Sequence, residues 1–276
     1  MAGRVTVRRP VLRIREGVVD RRADTLAAEE PMEIRVGGRA LAVTMRTPGD
    51  DFDLAIGFLA SEGVVSSAAE VASARYCAGA TEEGVNTYNV VDLALAPGVT
   101  PPDSSVERAF YTTSSCGLCG KASLDAVRTK ARWPVGEDDL TVTPELLAQL
   151  PERLRRAQQV FDRTGGLHAA GLFSGAGELL HLAEDVGRHN AVDKVVGHAV
   201  RADLLPLRGT VLMVSGRASF ELVQKAVMAG IPMLAAVSAP SSLAVDLAEE
   251  YGVTLVGFLR GESMNVYTGA QRVTAF

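Results

Sequence analysis

The alternation of apolar and polar residues predicts short strands in the first third of the chain. Apolar-rich runs of this kind lie at residues 5–14, 32–36, 40–45, 71–77 and 86–95. The stretch after the first run is charged and alanine-rich, so we expect a loose connection there up to residue 30. One helix interrupts the strands. It begins at the acidic residues 50–53, which we interpret as capping and compensation of the helix dipole, and it ends at Gly63.

A polar, glycine-containing stretch at residues 136–141 predicts a linker, and the pattern changes after it. Thr143 is placed to cap a helix with Pro144 at its first position, and Pro151 kinks or splits this helix before residue 161. A hairpin over residues 167–184 follows, and then a helix with Asp185 near its start. From residue 210 onward, short apolar strands alternate with helices, which implies parallel strands with helices on both faces.

These two patterns predict an α/β protein with two unequal parts. Residues 1–136 form a smaller, strand-rich N-terminal part, and residues 137–276 form an α/β domain. In open α/β sheets, ligands bind at the carboxyl ends of the strands. We therefore expect the loops that follow the parallel strands to form a binding site.

The segment TTSSCGLCGK, residues 112–121, carries two of the three cysteines. Cys116 and Cys119 are separated by two residues, and glycines flank them in a polar loop. Lys121 and the start of a helix-like pattern follow, and both favour the thiolate, which is the nucleophilic form of cysteine. The stretch is typical of a mobile loop that carries reactive sulfur.

A Cys-x-x-Cys pair is compatible with half of a zinc site, a redox dithiol, a sulfur-handling nucleophile or two ordinary surface thiols. A four-cysteine zinc site needs a second pair, and the remaining cysteine, Cys77, stands alone in a predicted strand. The four histidines do not have zinc-finger spacing either. We therefore expect no metal site. The spacing of the pair does not decide between a redox dithiol, a sulfur-handling nucleophile and ordinary surface thiols.

Three loops of the second part follow predicted strands and consist mainly of small and polar residues. They lie at residues 215–217, 238–242 and 260–263. The first two lead into helices, whose N-termini offer free N–H groups to anions, and Arg217 and Arg260 add positive charge. This composition predicts a phosphate-bearing ligand at the edge of the sheet. The competing interpretation is that the serines only cap the helices. The roles of Arg217 and of His189, a candidate proton carrier, stay open.

Charge and hydropathy exclude several classes of protein. The net charge is −5 and the sequence pI is about 5.5, which argues against a general nucleic-acid binder. No apolar run approaches the roughly 18 residues of a membrane span, and the N-terminus lacks the apolar core of a signal peptide. Three cysteines do not make a disulfide framework. We expect a cytoplasmic protein that binds neither nucleic acid nor membrane.

The segment TSSCGLCGK belongs to a longer series of motifs. TMRTPGDDFDLAIGFLASEG precedes it, and EDVGRHNAVDKVVG, VSGRASFELVQKA and FLRGESMNVYTG follow it. Together these motifs resemble the FdhD/NarQ family, in the same order over about residues 30–269. Members of this family are sulfur carriers needed for formate dehydrogenase activity.

The resemblance implies a sulfurtransferase with a cysteine persulfide intermediate. A cysteine desulfurase would load Cys116, which we take as the carrier, and Cys119 would share the sulfur or help release it. The acceptor would be the molybdenum cofactor, bis(molybdopterin guanine dinucleotide), before its insertion into apo-formate dehydrogenase. The family's cofactor-binding segment falls on Phe258, Leu259, Arg260, Gly261, Glu262 and Ser263.

The resemblance also implies a cytidine-deaminase-like mixed sheet flanked by helices. Deaminase activity is not expected, because His168-Ala169-Ala170 lacks the catalytic carboxylate and Pro240-Ser241-Ser242 stands where cysteine ligands belong. Two functions compete with sulfur transfer: a cofactor-binding chaperone for apo-formate dehydrogenase, and a thiol–disulfide switch. A homodimer is compatible with this class of fold, but nothing in the sequence requires one.

Overall fold

A computed structural model describes residues 5–77, 87–102 and 131–274 of the chain. We number its strands in chain order: β1 (Thr6–Arg15), β2 (Val18–Ala27), β3 (Glu30–Val36), β4 (Arg39–Arg46), β5 (Val71–Tyr76), β6 (Val90–Leu95), β7 (His168–Ser174), β8 (Leu179–Asp185), β9 (Thr210–Val214), β10 (Met233–Ala236), β11 (Thr254–Arg260) and β12 (Ser263–Thr268).

The helices of the described residues are numbered in the same way. They are α1 (Asp51–Ser61), α2 (Pro144–Ala157), α3 (Gln159–Thr164), α4 (Arg188–Arg201), α5 (Phe220–Ala229) and α6 (Ser242–Tyr251). Short 3-10 helices lie at Ala68–Glu70, Val135–Glu137 and Ala270–Arg272.

Strands β1 and β2 form an antiparallel ribbon in place of the loose connection that we expected after the first strand. The prediction was wrong because β2 is exposed along most of its length and lacks a buried, alternating face. Its residues are held by pairing, for example Arg13 opposite Asp20 and Ile14 opposite Val19. Ala27, the last residue of β2, lies beside Gly166, just after α3.

The other N-terminal strands form a four-stranded sheet in the order β4-β3-β6-β5. The predicted β3–β4 hairpin is confirmed, and both residues of its turn, Gly37 and Gly38, have positive φ angles that glycine tolerates. Strand β6 runs parallel to β3 and antiparallel to β5. The region is strand-rich with one principal helix, as the sequence predicts.

The second sheet has six strands in the order β12-β11-β10-β9-β7-β8. The three central strands β9, β10 and β11 are parallel, as predicted from the alternating pattern. On one side β12 pairs antiparallel with β11, and on the other side β7 pairs antiparallel with both β9 and β8. Strand β12 was not predicted, because its residues alternate between exposed and half-buried positions and follow a turn. The mixed α/β class, with mixed sheets flanked by helices, is confirmed.

Helices α1 and α4 cross at two glycines, so the backbones of the helices touch. A Cβ atom added to Gly57 would overlap the carbonyl oxygen of Asp193, and one added to Gly197 would overlap that of Asp53. One apolar core extends from the N-terminal sheet across this crossing to the second sheet, including Met32, Leu54, Val195 and Leu222. The division into parts at residue 136 stays a prediction.

The acidic residues at the start of α1 form ion pairs, and our interpretation of them as helix caps was incomplete. The carboxylate of Asp51, which is buried, accepts two bonds from Arg46, each 3.0 Å long. Asp53 pairs with Arg201 of α4 at 2.7 Å. Asp50 stands at the N-cap, but its side chain makes no cap bond. These pairs fasten α1 to its neighbours, in addition to favouring the helix dipole.

The helical stretch from Thr143 is split at Gln158. Thr143 caps α2 by accepting a bond from Leu146 N at 3.3 Å, and Pro144 is its first residue, as predicted. Pro151 lies inside α2 and does not end it. The break between α2 and α3 falls at Gln158, seven residues after Pro151. The preceding stretch, which we predicted as a linker, is packed against the body through the buried side chain of Leu140.

Candidate functional site

The predicted sulfur-carrying residues Cys116 and Cys119 lie outside the described residues. Cys77 follows strand β5 and is a half-buried free cysteine. Its backbone N–H donates to Val90 O at 2.9 Å, which continues the pairing of β5 with β6. This position agrees with the structural role that the sequence suggested for Cys77.

The segment predicted to bind the cofactor forms the end of β11, the following turn and the start of β12. Phe258 is 39% exposed and has a φ angle of 51°, whereas Leu259 is buried. A left-handed conformation in a bulky residue carries strain of order 1–3 kcal/mol, and such strain is concentrated at functional sites. The Arg260 side chain reaches back across the sheet edge and donates from Nε to Val237 O at 3.0 Å.

The strand topology brings several loops to the same edge of the sheet. The carboxyl ends of β9, β10 and β11 meet there because these strands are parallel. Strand β8 also ends at this edge, and β7 begins there, because β7 runs antiparallel to both β8 and β9. The edge is therefore lined by residues from five strand ends: His168, Val186, Ser215, Val237 and Gly261.

A pocket of about 730 Å³ opens between this edge and the pair of helices α2 and α3. Its helical wall includes Pro151, Leu154 and Arg155 of α2 and Phe161 of α3. The Arg155 guanidinium lies over the Phe161 ring, 4.6 Å from its centroid. The volume lies within the range of small-molecule sites, and the lining combines apolar side chains with a few polar groups, as such sites do.

Gln158, at the break between α2 and α3, also lines the pocket and is only 3% exposed. Its side-chain Nε2 has no hydrogen-bond partner among the described residues. A buried donor left unpaired costs about 1–3 kcal/mol, so buried amides are normally satisfied. The side-chain nitrogen itself has almost no accessible surface, so it lies behind the pocket wall and does not face the pocket.

His168 lies at the first position of β7 and lines the same pocket. A Cβ atom placed on Gly216 would be 3.5 Å from His168 Nδ1 and 3.7 Å from Arg188 Cδ, so these three residues are neighbours. Burial lowers the pKa of His168, and the nearby charges of Arg188 and His189 lower it further. At neutral pH the His168 ring is therefore uncharged, and it can both donate and accept a hydrogen bond.

Of the cationic residues predicted to bind phosphate, Arg217 is exposed in the loop between β9 and α5. Helix α5 begins without a side-chain cap, because the Oγ of its N-cap residue, Ser219, lies 3.1 Å from His189 Nε2. The next loop differs, since Ser241 caps α6 by accepting from Ala244 N at 3.3 Å. Simple capping thus describes the second loop, and the first loop presents a helix N-terminus beside an arginine.

His189 is held at the start of α4 by contacts to α5. Its Nε2 lies 2.7 Å from Glu221 Oε2, and this hydrogen bond is the main reason why the pKa of Glu221 is lowered. His189 thus joins the N-terminal turns of two helices at the sheet edge. The proton-carrier role that we considered for it stays a prediction.

Buried polar contacts fix the loop between β8 and α4. Asp185 is the last residue of β8, not part of the helix start as we predicted, and its carboxylate lies 2.8 Å from Lys194 Nζ. The same carboxylate accepts from the backbone N–H groups of Thr47 and Gly187 and from Asn190 Nδ2. Asp185 therefore positions the chain at Val186 and holds the N-terminal region against this edge.

The described residues contain no cluster of three or more His, Cys, Asp or Glu side chains that could hold a metal ion. His168, the candidate remnant of a deaminase ligand set, has Arg188 and Gly216 as neighbours.

Sequence reasoning missed Gln158 and the helical wall of the pocket. The apolar spacing of α2 and α3 indicated an amphipathic helix that Pro151 kinks or splits, and it did not reveal that a break at Gln158 would turn this residue inward. The signal that could have found it is its spacing, because Gln158 stands four residues after Leu154, where the apolar face of a continuous helix would place another apolar side chain.

In the part of the chain that the structure describes, we find no helix whose length and apolar character would let it cross a membrane.

Comparison with known proteins places the chain among relatives over nearly its whole length. A family model described as the FdhD/NarQ family matches residues 27–274. A protein of Streptomyces coelicolor named sulfur carrier protein FdhD is 70% identical over 272 residues, which cover 98% of this chain and 96% of the relative. A protein of Mycobacterium tuberculosis with the same name is 59% identical over 275 residues, covering 99% of this chain and 100% of the relative.

A solved structure shares the fold. It belongs to a Desulfotalea psychrophila protein described as a formate dehydrogenase accessory protein, with a TM-score of 0.75 and 22% identity, and the match covers 98% of this chain and 100% of that one. The ordered motifs of the sequence, the family model and the highly identical relatives agree with one another. The chain belongs to the FdhD/NarQ family.

Proposed function

We propose that this chain is a sulfur carrier that accepts sulfur on Cys116 and passes it to a molybdenum cofactor destined for formate dehydrogenase. The observation that carries the proposal is the Cys116-x-x-Cys119 pair in a chain 70% identical to a protein named as a sulfur carrier. The reaction class is sulfurtransferase, with a cysteine persulfide as the intermediate.

The loading step is a thiol exchange without net oxidation or reduction. The Cys116 thiolate attacks the terminal sulfur of a persulfide on a cysteine desulfurase, and the cysteine thiolate of the desulfurase leaves. Lys121 suits this step, since a cation close in the sequence favours the thiolate. Cys119 is the second thiol, placed to share the sulfur or help release it.

The acceptor in this proposal is bis(molybdopterin guanine dinucleotide), bound as a substrate at the sheet edge. The segment from Phe258 to Ser263 borders the pocket through Gly261, and Arg260, the last residue of β11, lies at the same edge as Arg217 in the loop after β9. Guanidinium groups and a helix N-terminus are suited to diphosphate groups. A pocket of about 730 Å³ accommodates one heterocyclic end of such a molecule and leaves the rest in the open cleft.

Replacing Cys116 with Ala should abolish formate dehydrogenase activity in a cell that depends on this chain, without unfolding it. The expected loss is complete, because alanine cannot form a persulfide. The measurement is formate oxidation in extracts, with the variant's circular dichroism and abundance as the folding check. Cys77→Ala is the matched control and should leave maturation intact, because Cys77 is a half-buried residue that extends a strand pairing.

A fully active dehydrogenase matured with the Cys116→Ala variant would contradict the sulfur-carrier proposal. It would favour the second candidate function, in which the chain binds the molybdenum cofactor and delivers it to apo-formate dehydrogenase without transferring sulfur.

A further inference from the structure

The ribbon of β1 and β2 has two different faces, which its register defines. A two-residue turn at 16–17 joins the strands, and both of its residues have the positive φ angles of a tight hairpin turn. Residues directly opposite each other in an antiparallel pair have their side chains on the same face, as Ile14 and Val19 do. We call the face that carries this pair the outer face. Its large side chains are those of Arg8, Leu12, Ile14, Val19 and Arg21.

The outer face exposes a group of apolar side chains to water. Leu12 is 59% exposed, Ile14 66% and Val19 57%. Along β1 the usual alternation is reversed, because Val11 and Arg13 on the opposite face are the half-buried residues. Single exposed apolar residues are common on protein surfaces, but a contiguous group of them indicates an interaction site.

The outer face is also positively charged. Arg8 and Arg21 lie on it, and no acidic residue of β1 or β2 does. The acidic residues of β2 stand opposite arginines of β1 on the other face, as Asp20 does opposite Arg13. Residues 6–27 contain six arginines and three acidic residues, although the whole chain has a net charge of −5. Apolar side chains beside arginine are typical of protein interfaces, and the positive charge selects an acidic partner.

The base of the ribbon lies beside the pocket. A Cβ atom added to Gly166 would lie 3.7 Å from the Cβ atom of Ala27, the last residue of β2. Gly165 and Gly166 both line the pocket. Each strand of the ribbon has ten residues, so the ribbon is about 33 Å long at a rise of about 3.3 Å per residue. A protein that binds along the ribbon is therefore held next to the pocket.

We propose that the outer face of the ribbon docks apo-formate dehydrogenase, through a surface of the dehydrogenase on which acidic residues surround apolar side chains. The recipient of the cofactor has to approach the pocket that the cofactor leaves, and the base of the ribbon borders that pocket. Opposite charges speed the encounter, and burial of the apolar side chains holds the complex. This inference rests on the proposed function, since it assigns the surface that the cofactor's recipient contacts.

The test measures binding of purified apo-formate dehydrogenase, made in cells that lack this chain, to the full-length chain by biolayer interferometry. Arg21→Glu should weaken binding about tenfold, and it should reduce the loss of affinity that the wild type shows as the salt concentration rises. Arg22→Glu is the matched control, because it makes the same change of charge at the next residue, which lies on the opposite face. This control should weaken binding by about twofold or less.

A double variant, Leu12→Thr with Ile14→Thr, tests the apolar part of the outer face. Threonine keeps a preference for strand structure and removes most of the apolar surface. Binding of the dehydrogenase should again fall about tenfold. The melting temperature should change little, because both side chains are exposed in the free chain. Arg21→Glu decides the matter alone if the double variant does not fold.

Sulfur loading by a cysteine desulfurase, read by intact mass, separates this inference from the proposed function. The outer-face variants should gain sulfur as the wild type does, because loading takes place on Cys116. A wild type that gains sulfur but does not bind the dehydrogenase overturns the docking assignment and leaves the sulfur carrier standing. A wild type that binds the dehydrogenase but gains no sulfur contradicts the proposed function instead.

Three further outcomes overturn the docking assignment. The first is that Arg21→Glu and Arg22→Glu bind the dehydrogenase equally well. The second is that Arg21→Glu abolishes sulfur loading, which would make the desulfurase the occupant of the outer face. The third is that light scattering finds a dimeric wild type and a monomeric Arg21→Glu variant with unchanged binding of the dehydrogenase, which would make a second copy of this chain the occupant.

Discussion

Two histidines of the second sheet have lowered pKa values because of where they lie. Burial lowers the pKa of His168 at the pocket, and it also lowers the pKa of His181 on β8. The ring of His181 stacks on that of His198, with centroids 3.7 Å apart and parallel planes, so a proton on one ring would face the other. Both residues therefore resist protonation until the pH falls below the usual histidine range of roughly 6.5.

This arrangement predicts that the protein loses stability as the pH falls through the range just below 6.5. The unfolded chain takes up protons at these histidines at a higher pH than the folded chain does, so lower pH favours unfolding. Replacing His181 with Gln should make the fall in melting temperature between pH 7.5 and 5.5 smaller by about 2 °C. Thermal unfolding at the two pH values measures this. An equal fall in wild type and in the variant would contradict the assignment.

At the residue scale, the sequence predicted candidate site positions, but not the contacts that hold them. It indicated Arg217 and Arg260 from their place after strands, and both lie at one sheet edge, Arg217 in the loop after β9 and Arg260 as the last residue of β11. It did not indicate that Asp185 would bind Lys194 within the body, because that contact depends on how β8 lies against α4. Short-range patterns do not encode such a tertiary partner.

The contact between α1 and α4 shows how two elements depend on single residues. Gly57 and Gly197 lie where the two helices cross, and each faces a carbonyl oxygen of the other helix. Replacing Gly197 with Ala adds a methyl group that overlaps Asp53 O. Helix propensity alone would make this change stabilising by about 1 kcal/mol.

We expect the opposite sign, because the backbones of the two helices must separate. Gly197→Ala should lower the free energy of unfolding by about 1–3 kcal/mol or more, the usual cost of overpacking in a core. Urea unfolding followed by circular dichroism measures this change. A variant as stable as wild type, or more stable, would show that the crossing is loose enough to accept the methyl group.

At the element scale, most of the strands and helices could be predicted, and the exceptions have physical causes. The strands β9, β10 and β11 were predicted because buried parallel strands are continuously apolar. Strands β2 and β12 were missed because neither buries a continuous face, so hydrogen-bond pairing with a neighbour defines them. A kink or a split was predicted at Pro151, and the break between α2 and α3 falls at Gln158.

At the scale of the whole molecule, the sheet topology brings pocket-lining residues together that are far apart in the sequence. His168 and Gly261 are far apart in the chain, and both line the pocket because β7 begins where β11 ends. The sequence predicted this edge through the general rule for open α/β sheets. The pocket's volume and its helical wall could not be predicted, because they depend on how α2 and α3 pack against the sheet.

A chain that carries sulfur on a cysteine gains mass when it is loaded, and intact-mass spectrometry detects that gain. Full-length wild type, Cys116→Ala and Cys119→Ala are each incubated with a cysteine desulfurase and cysteine. The wild type should gain the mass of at least one sulfur atom, and a reducing agent should remove that mass. The Cys116→Ala variant should not gain it. An unchanged wild-type mass, beside a desulfurase shown to be active, would contradict the sulfur-carrier account.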